Sequence, residues 1–268
     1  MDLGLGGSRV LITGGSRGIG LAIAEALVAE GAAVGLVARD AEGLATAAAR
    51  LAGRGATAVG RGATIATAAA DVTDTPALHR AVDQIAAALG GLDHLVANAG
   101  GTVGRGNLTS AGNDEFTATF ALNAGHAAEL IRSGLPHLRA SGGGSVVIIS
   151  SITGMRPAPR TAYATAKAAE IHLAATAAQE LAPAGIRVNA VSPGSVMFPG
   201  GGWDTFKQQH PEDFAAFVAG QFPHGRLGTL PEVADVVVFL LSARASWITG
   251  ANIAVDGGQR YPSARRFD

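Results

Sequence analysis

"RVLITGGSRGIGLAIAEALVAEG", residues 9–31, is the stretch whose reading decides the fold. RVLITG at 9–14 is apolar and β-branched, as a buried strand requires. From 18 to 31 the apolar residues recur at helical spacing. Between them lies a turn with glycines at Gly14, Gly18 and Gly20, a G-x-x-x-G-x-G spacing. A strand that enters a helix through such a turn opens a parallel α/β sheet. Its glycines let the backbone approach a pyrophosphate, and the helix N-terminus offers unpaired N–H groups to it.

The same alternation runs to the end of the chain. Further strands are expected at 32–39, 68–72, 92–100, 144–151, 185–194 and 251–258, with helices near 41–52, 75–89, 111–140, 160–182 and 231–243. Alternating strands and helices give a doubly wound parallel sheet of about seven strands with helices on both faces. Neither a domain boundary nor a linker breaks residues 1–268, so one dinucleotide-binding and catalytic domain is expected. "GRGATAV" at 53–59 is followed at once by "GRGATIA" at 60–66. Two copies are too few for a repeat architecture, and the duplication reads as a surface-loop insertion between the second helix and the third strand.

Bulk properties exclude several classes. A formal net charge of −1 with dispersed basic residues offers no nucleic-acid footprint. The absence of cysteine removes disulfide and thiol chemistry and suits a reducing cytoplasm. The N-terminus lacks the basic segment of a signal peptide. No apolar run approaches the ~18 residues needed to span a bilayer. The seven histidines show no zinc-ligand spacing, so no metal is expected.

"TAYATAKAA" at 161–169 places Tyr163 and Lys167 four apart, on one face of a helix. The chain has only two tyrosines. Taken alone, Y-x-x-x-K also describes an ordinary surface pair.

Together the motifs change that balance. "TGGSRGIG" (13–20), "DV" (71–72), "NAG" (98–100), Asn123 in "FALNAG", "IISS" (148–151), "YATAK" (163–167), "SPG" (192–194), "PHGRLGTLPEVA" (223–234) and "SWITGANIAVDGG" (246–258) follow in order. In this respect the chain resembles the short-chain dehydrogenase/reductase family in its single-domain, Rossmann-like form, with 3-oxoacyl reductases among the members it looks like. The resemblance implies a catalytic set of Asn123, Ser151, Tyr163 and Lys167. Tyr163 is then the acid/base, and Lys167 its partner and a hydrogen-bond donor to the nicotinamide ribose. A free phenol ionises near pH ~10, and a fixed ammonium nearby favours the phenolate. Ser151 would orient a substrate carbonyl, with Gly154 completing an S-x-x-G pattern; Ser150 competes for that role. Asn123 would hold a water beside the lysine.

The resemblance also implies that the cofactor contacts Gly14, Ser16, Arg17, Gly18, Ile19, Gly20, Arg39, Asp71, Val72, Asn98, Ala99, Gly100, Tyr163, Lys167, Pro193, Gly194 and Val196. Asp71 and Val72 face the adenine, and the Val196 backbone serves the carboxamide. The family's acidic residue for a ribose 2′-hydroxyl corresponds to Ala38, whereas Arg39 and Arg17 suit a 2′-phosphate. NADP(H) is therefore expected ahead of NAD(H), unless Asp40 shifts the register. Where the family often has a threonine after the S-P-G, this chain has Phe198.

The resemblance implies that residues 198–222, with the glycines Gly200, Gly201 and Gly202 as a flexible hinge, form a substrate lid. Trp203, Phe206, Phe214, Phe217 and Phe222 then either shield an apolar or cyclic substrate or pack the lid onto the body. The expected activity interconverts a ketone and a secondary alcohol, a 3-oxoacyl or an apolar, cyclic one. The rivals are a non-catalytic NADP-binding regulator on the same fold, and an epimerase or dehydratase of the extended type. The resemblance also implies that the alanine-rich helices near 111–140 and 160–182 pair across a two-fold interface, which gives a homotetramer, or a homodimer.

Overall fold

The computed structural model describes residues 2–58, 64–104 and 107–263. In it the run 9–31 forms strand β1 (Arg9–Thr13) and helix α1 (Gly18–Ala29). There follow β2 (Ala33–Ala38), α2 (Ala41–Ala58), β3 (Ile65–Ala69), α3 (Thr75–Leu89) and β4 (His94–Ala97). Next come α4 (Asn113–Phe120), α5 (His126–Ala140), β5 (Gly144–Ile149), α6 (Thr161–Leu181) and β6 (Ile186–Pro193). Helices α7 (Gly202–Gln209), α8 (Pro211–Gln221) and α9 (Leu230–Leu241) precede β7 (Asn252–Val255).

All seven strands are parallel, in the order β3-β2-β1-β4-β5-β6-β7. The order reverses between β1 and β4, and the crevice beyond their carboxyl ends is where such sheets bind ligands. Along β1, Val10 and Ile12 pack with Ile23, Leu27 and Val237 from α1 and α9, whereas Leu11 packs with Leu78, Ile85 and Leu130 from α3 and α5. This period-two division buries both faces of the strand and explains its unbroken apolar sequence.

Three expectations change. The third strand lies at Ile65–Ala69 rather than 68–72, because Val34 to Ala38 of β2 pair with Ile65 to Ala69. The duplicated segment is not simply an inserted loop: residues 53–58 continue α2 and 65–66 open β3. Its join, 59–63, lies outside the described residues. The helix expected over 111–140 is interrupted by a π turn at Ala121–Gly125, closed by the His126 N–H on the Ala121 carbonyl. One extra residue in that turn re-aims its neighbours, and such turns recur at functional sites.

Candidate active site

The cofactor side is built from turns at the ends of β1 and β4. Gly14 has φ +66°, and a Cβ there would stand 2.8 Å from the Asn98 side-chain nitrogen. A Cβ on Gly20 would collide with the Gly14 carbonyl. The turn therefore requires glycine at both positions. Asn98 Nδ2 donates to the carbonyls of Thr13 (3.0 Å) and Gly14 (3.1 Å), clamping the "NAG" segment to the glycine turn. Arg17 is the N-cap of α1 and makes no side-chain cap hydrogen bond, so the first N–H groups of α1, beyond the half-buried Ser16, Gly18 and Ile19, lack a capping side chain. A pyrophosphate supplies the acceptors this end requires.

At the end of β2, Ala38 is buried and Arg39 is exposed. Asp40 is committed elsewhere: its Oδ1 accepts the Glu42 N–H at 3.1 Å, and its carbonyl accepts the Leu44 N–H, which starts α2. The carboxylate of Asp71 takes the Thr73 N–H (2.9 Å) and hydroxyl (2.7 Å). These bonds, with help from the Arg39 charge, hold it below the usual carboxylate range. Val72 beside it is buried.

The reacting side centres on α6. Its buried stripe, Ala162, Ala166, Lys167, Glu170, Ala174 and Ala178, follows helical spacing. Tyr163 is half-buried, and Lys167 Nζ lies 5.6 Å from its ring centre. Lys167 is 3% exposed and donates to the Ile149 carbonyl at 2.9 Å. A Cβ on Gly100 would stand 3.0 Å from this Nζ and 2.6 Å from Asn123 Oδ1, so Lys167 and Asn123 converge beneath the glycine of "NAG".

Asn123 sits in the π turn. Its Nδ2 donates to the carbonyls of Gly101 and Thr119, both at 2.7 Å, and its Oδ1 accepts the Gly101 N–H at 3.1 Å. The side chain is thus occupied in fixing the turn. The two candidate serines separate clearly. Ser150 is buried and donates to the Lys167 carbonyl at 2.7 Å. Ser151 is half-buried, and its Oγ accepts the Thr153 N–H at 3.2 Å, which leaves its own proton to donate.

Beyond β6, Pro193 and Gly194 lead to Val196, which bridges Gly228. That bridge uses Ser195 O and Met197 N, leaving the Val196 amide and carbonyl outside the pairing. Phe198 lies over the glycine turn: a Cβ on Gly18 would stand 3.4 Å from its ring. Around α7 and α8 the aromatics meet one another. Trp203 stacks on Phe217 at 4.7 Å, and Phe217 meets Phe222 edge-on at 5.3 Å.

Three further residues belong to this floor. Thr13 Oγ1 accepts the N–H groups of Asn98 (3.0 Å) and Ala99 (3.2 Å) and lies 3.2 Å from His126 Nε2. His126 Nδ1 donates to the Leu122 carbonyl at 2.8 Å and so ties the π turn to the glycine turn. Burial, then the Lys167 charge, push this imidazole down to about 4, so it is neutral. Glu170 is fully buried beside Lys167. Its sequence signal is a lone acid three residues after the lysine within an apolar helix face; that of His126 is a lone imidazole three residues after Asn123.

Known proteins share this architecture. A family model described as enoyl-(acyl carrier protein) reductase matches residues 14–260. The 2-(S)-hydroxypropyl-CoM dehydrogenase 3 of Xanthobacter autotrophicus is 37% identical over 250 residues, 93% of this chain and 95% of that protein. The cis-4-hydroxycyclohexanecarboxylate dehydrogenase of Sinomonas cyclohexanicum is 37% identical over 249 residues, 92% of this chain and 94% of that one. The crystal structure of L-sorbose reductase from Gluconobacter frateurii, complexed with NADPH and L-sorbose, superposes with a TM-score of 0.89 at 32% identity, covering 97% of this chain and 98% of that one. The chain belongs to the short-chain dehydrogenase/reductase family of oxidoreductases.

Proposed function

We propose that the protein is an NADP(H)-dependent oxidoreductase that interconverts a ketone and a secondary alcohol. The observation that carries this is the Lys167 ammonium, buried under Gly100 of the NAG segment and 5.6 Å from the ring centre of Tyr163. The glycine turn and the uncapped start of α1 hold the pyrophosphate, joined by the cofactor set of Asp71, Val72, Asn98, Ala99, Gly100, Pro193, Gly194 and Val196. Arg39, with Arg17, receives the 2′-phosphate, and the exposed Arg39 side chain after the buried Ala38 at the end of β2 supports this. When bound, the nicotinamide supplies the hydride chemistry. Tyr163 gives its proton to the substrate oxygen, or takes one from it in the reverse direction. Ser151 donates to the same oxygen and holds it near the phenol. Lys167 holds its charge behind Tyr163, and Asn123 keeps the π turn in place beside it.

The chain works as one unit, with residues 198–222 as a lid over an apolar or cyclic ketone, or a 3-oxoacyl group. The ring and chain alcohols in the relatives' names support that range. A cytoplasmic location fits a chain without cysteine. A homotetramer, or a homodimer, forms through the helices of 111–140 (α4 and α5) and through α6. Between α4 and α6 runs a cleft of about 480 Å³ lined by Phe116, Phe120, Ala121, Gly125, Ala162 and Thr165, and Phe120 is 49% exposed there. Light scattering at micromolar concentration checks this, with a monomer as the contrary result.

The activity is tested by following NADPH oxidation over acyl, cyclic and steroid-like ketones. Consumption with one class is expected. Tight NADPH binding with no consumption across the panel would instead favour a cofactor-binding regulator.

A further inference from the structure

Two ionisable side chains are buried together on the inner face of α6. Glu170 is 0% exposed. Its Oε1 accepts from Lys167 Nζ at 3.0 Å; its Oε2 lies 2.9 Å from the same nitrogen but off the hydrogen-bond line. The lysine also donates to the Ile149 carbonyl at 2.9 Å. Removing two charges from water is costly, and an apolar residue of similar size would fill position 170 with less penalty. Folding alone therefore gives no reason for a carboxylate here, whereas its partner is the ammonium that stands behind Tyr163.

We propose that Glu170 is a positioning residue for the Tyr163–Lys167 pair: a buried countercharge that anchors the Lys167 ammonium against Ile149 and offsets its field at the Tyr163 phenol. An unopposed ammonium favours the phenolate. A carboxylate about 3 Å behind that ammonium turns a point charge into a pair, whose field falls off faster with distance. An ionised Glu170 therefore weakens the pull of Lys167 on the phenol proton, the proton a ketone oxygen has to receive. Glu170 thereby biases the site toward reduction.

The surrounding groups are consistent with this. His126 of α5, which feels the same ammonium, is held neutral by burial and by that charge. From the end of β5, the Ser150 hydroxyl donates to the Lys167 carbonyl at 2.7 Å and also lies against the Glu170 carboxylate, which it helps to hold ionised. Burial pushes the Glu170 carboxyl up to about 7, against the pull of Lys167, so above that pH, where phenols ionise, it is charged.

This inference deepens the function proposed above and rests on Tyr163 being the acid/base, but its test needs neither substrate nor turnover. The chain has two tyrosines, so in a Tyr261→Phe background the ultraviolet phenolate signal belongs to Tyr163 alone. Glu170→Gln in that background should lower the ionisation midpoint of the phenol by about one pH unit, the size expected of a buried charge acting from beyond Lys167 at an effective dielectric of about 20. Glu170→Asp, which keeps the charge, should stay with the parent. Circular dichroism checks the fold, and Glu170→Leu supplies a second neutral variant with the same expected fall. A midpoint that is unchanged or raised in the neutral variants, or lowered equally in Glu170→Asp, overturns the inference. An unchanged midpoint in a protein that reduces ketones removes this inference alone. A lowered midpoint in a protein that reduces none removes only the functional assignment.

Discussion

The floor of the site and its lid are held together by different physics. The floor, from Thr13 through Asn98, Asn123, His126, Lys167 and Glu170, is a buried network in which named polar atoms meet named partners. Such a network is sensitive to geometry and to charge. In the proposed lid, α7 and α8 pack on each other through Trp203, Phe214 and Phe217, in a small apolar cluster completed by Phe222, Leu227 and Met197 at its junction with the body and separate from the two that cover the sheet. Lys207, His210, Glu212 and Asp213 of the lid are exposed. A hydrogen-bonded floor can hold reacting groups in place, whereas an aromatic cluster with its own core can move as a body. The lid aromatics are therefore read as packing within the lid, with the half-buried Phe206 and Phe214 at its margins.

If that contrast is right, acid should attack the body of the protein before the lid. His126, under the floor, and His94, at the start of β4, are each pushed down to about 4 from 6.5, mainly by burial. The folded state therefore binds fewer protons than the unfolded chain, and the stability from these groups, full above 6.5, is lost as pH falls toward 4. Glu170, raised to about 7 from 4.5, acts oppositely: its contribution is full below 4.5 and lost as pH rises through 7. Two histidines against one glutamate leave a net loss of about 2 kcal/mol between pH 6.5 and about pH 5. Urea denaturation at the two pH values reads it. His94→Val, outside the site, should leave the profile nearly flat, and a wild-type protein equally stable at both would break the account.

At the rim of the floor, Arg39→Ala should weaken NADPH by about ten- to a hundredfold, the worth of one charge-assisted phosphate contact, and leave NADH nearly unchanged. Titration by cofactor fluorescence measures both. Equal weakening of the two would remove Arg39 from the 2′-phosphate.

The smallest effect belongs to the hinge. Gly201 is poorly suited to a proline test, because its N–H donates to the Phe198 carbonyl at 3.0 Å and its Cα faces the Phe198 ring. Gly202 opens α7 with no atom near its would-be Cβ, a position that accepts proline. Gly202→Pro should shift kcat and KM together by a few-fold and leave NADPH affinity alone. Amides of 202–221 should exchange faster than those of 186–193 in the free protein. Equal protection would make the lid a fixed wall.

How far this was legible in the sequence depends on the range of the forces involved. Strand–turn–helix order came from local periodicity, and the ordered motifs placed Tyr163 and Lys167 on one helix face. The boundaries of β3 were missed because edge pairing with β2, a tertiary contact, sets them. The π turn was missed because one extra residue in a helical stretch leaves the apolar pattern almost unchanged. The sequence favours Ser151 through the S-x-x-G pattern alone; the bond of Ser150 to the Lys167 carbonyl, which argues the same way, is a tertiary contact that sequence does not show. Glu170 and His126 were passed over because single polar residues on an apolar face show their partners only in three dimensions.

The central claim is that Tyr163 passes the proton in an NADPH-dependent carbonyl reduction. The most direct test compares wild type with Tyr163→Phe on a ketone that the wild type reduces, measuring kcat and NADPH affinity in the same preparations. The change removes one phenol oxygen and leaves the glycine turn and Lys167 in place. Turnover should fall by about 10²–10⁴ with NADPH affinity essentially unchanged. A Tyr163→Phe enzyme that turns over near the wild-type rate would contradict the account.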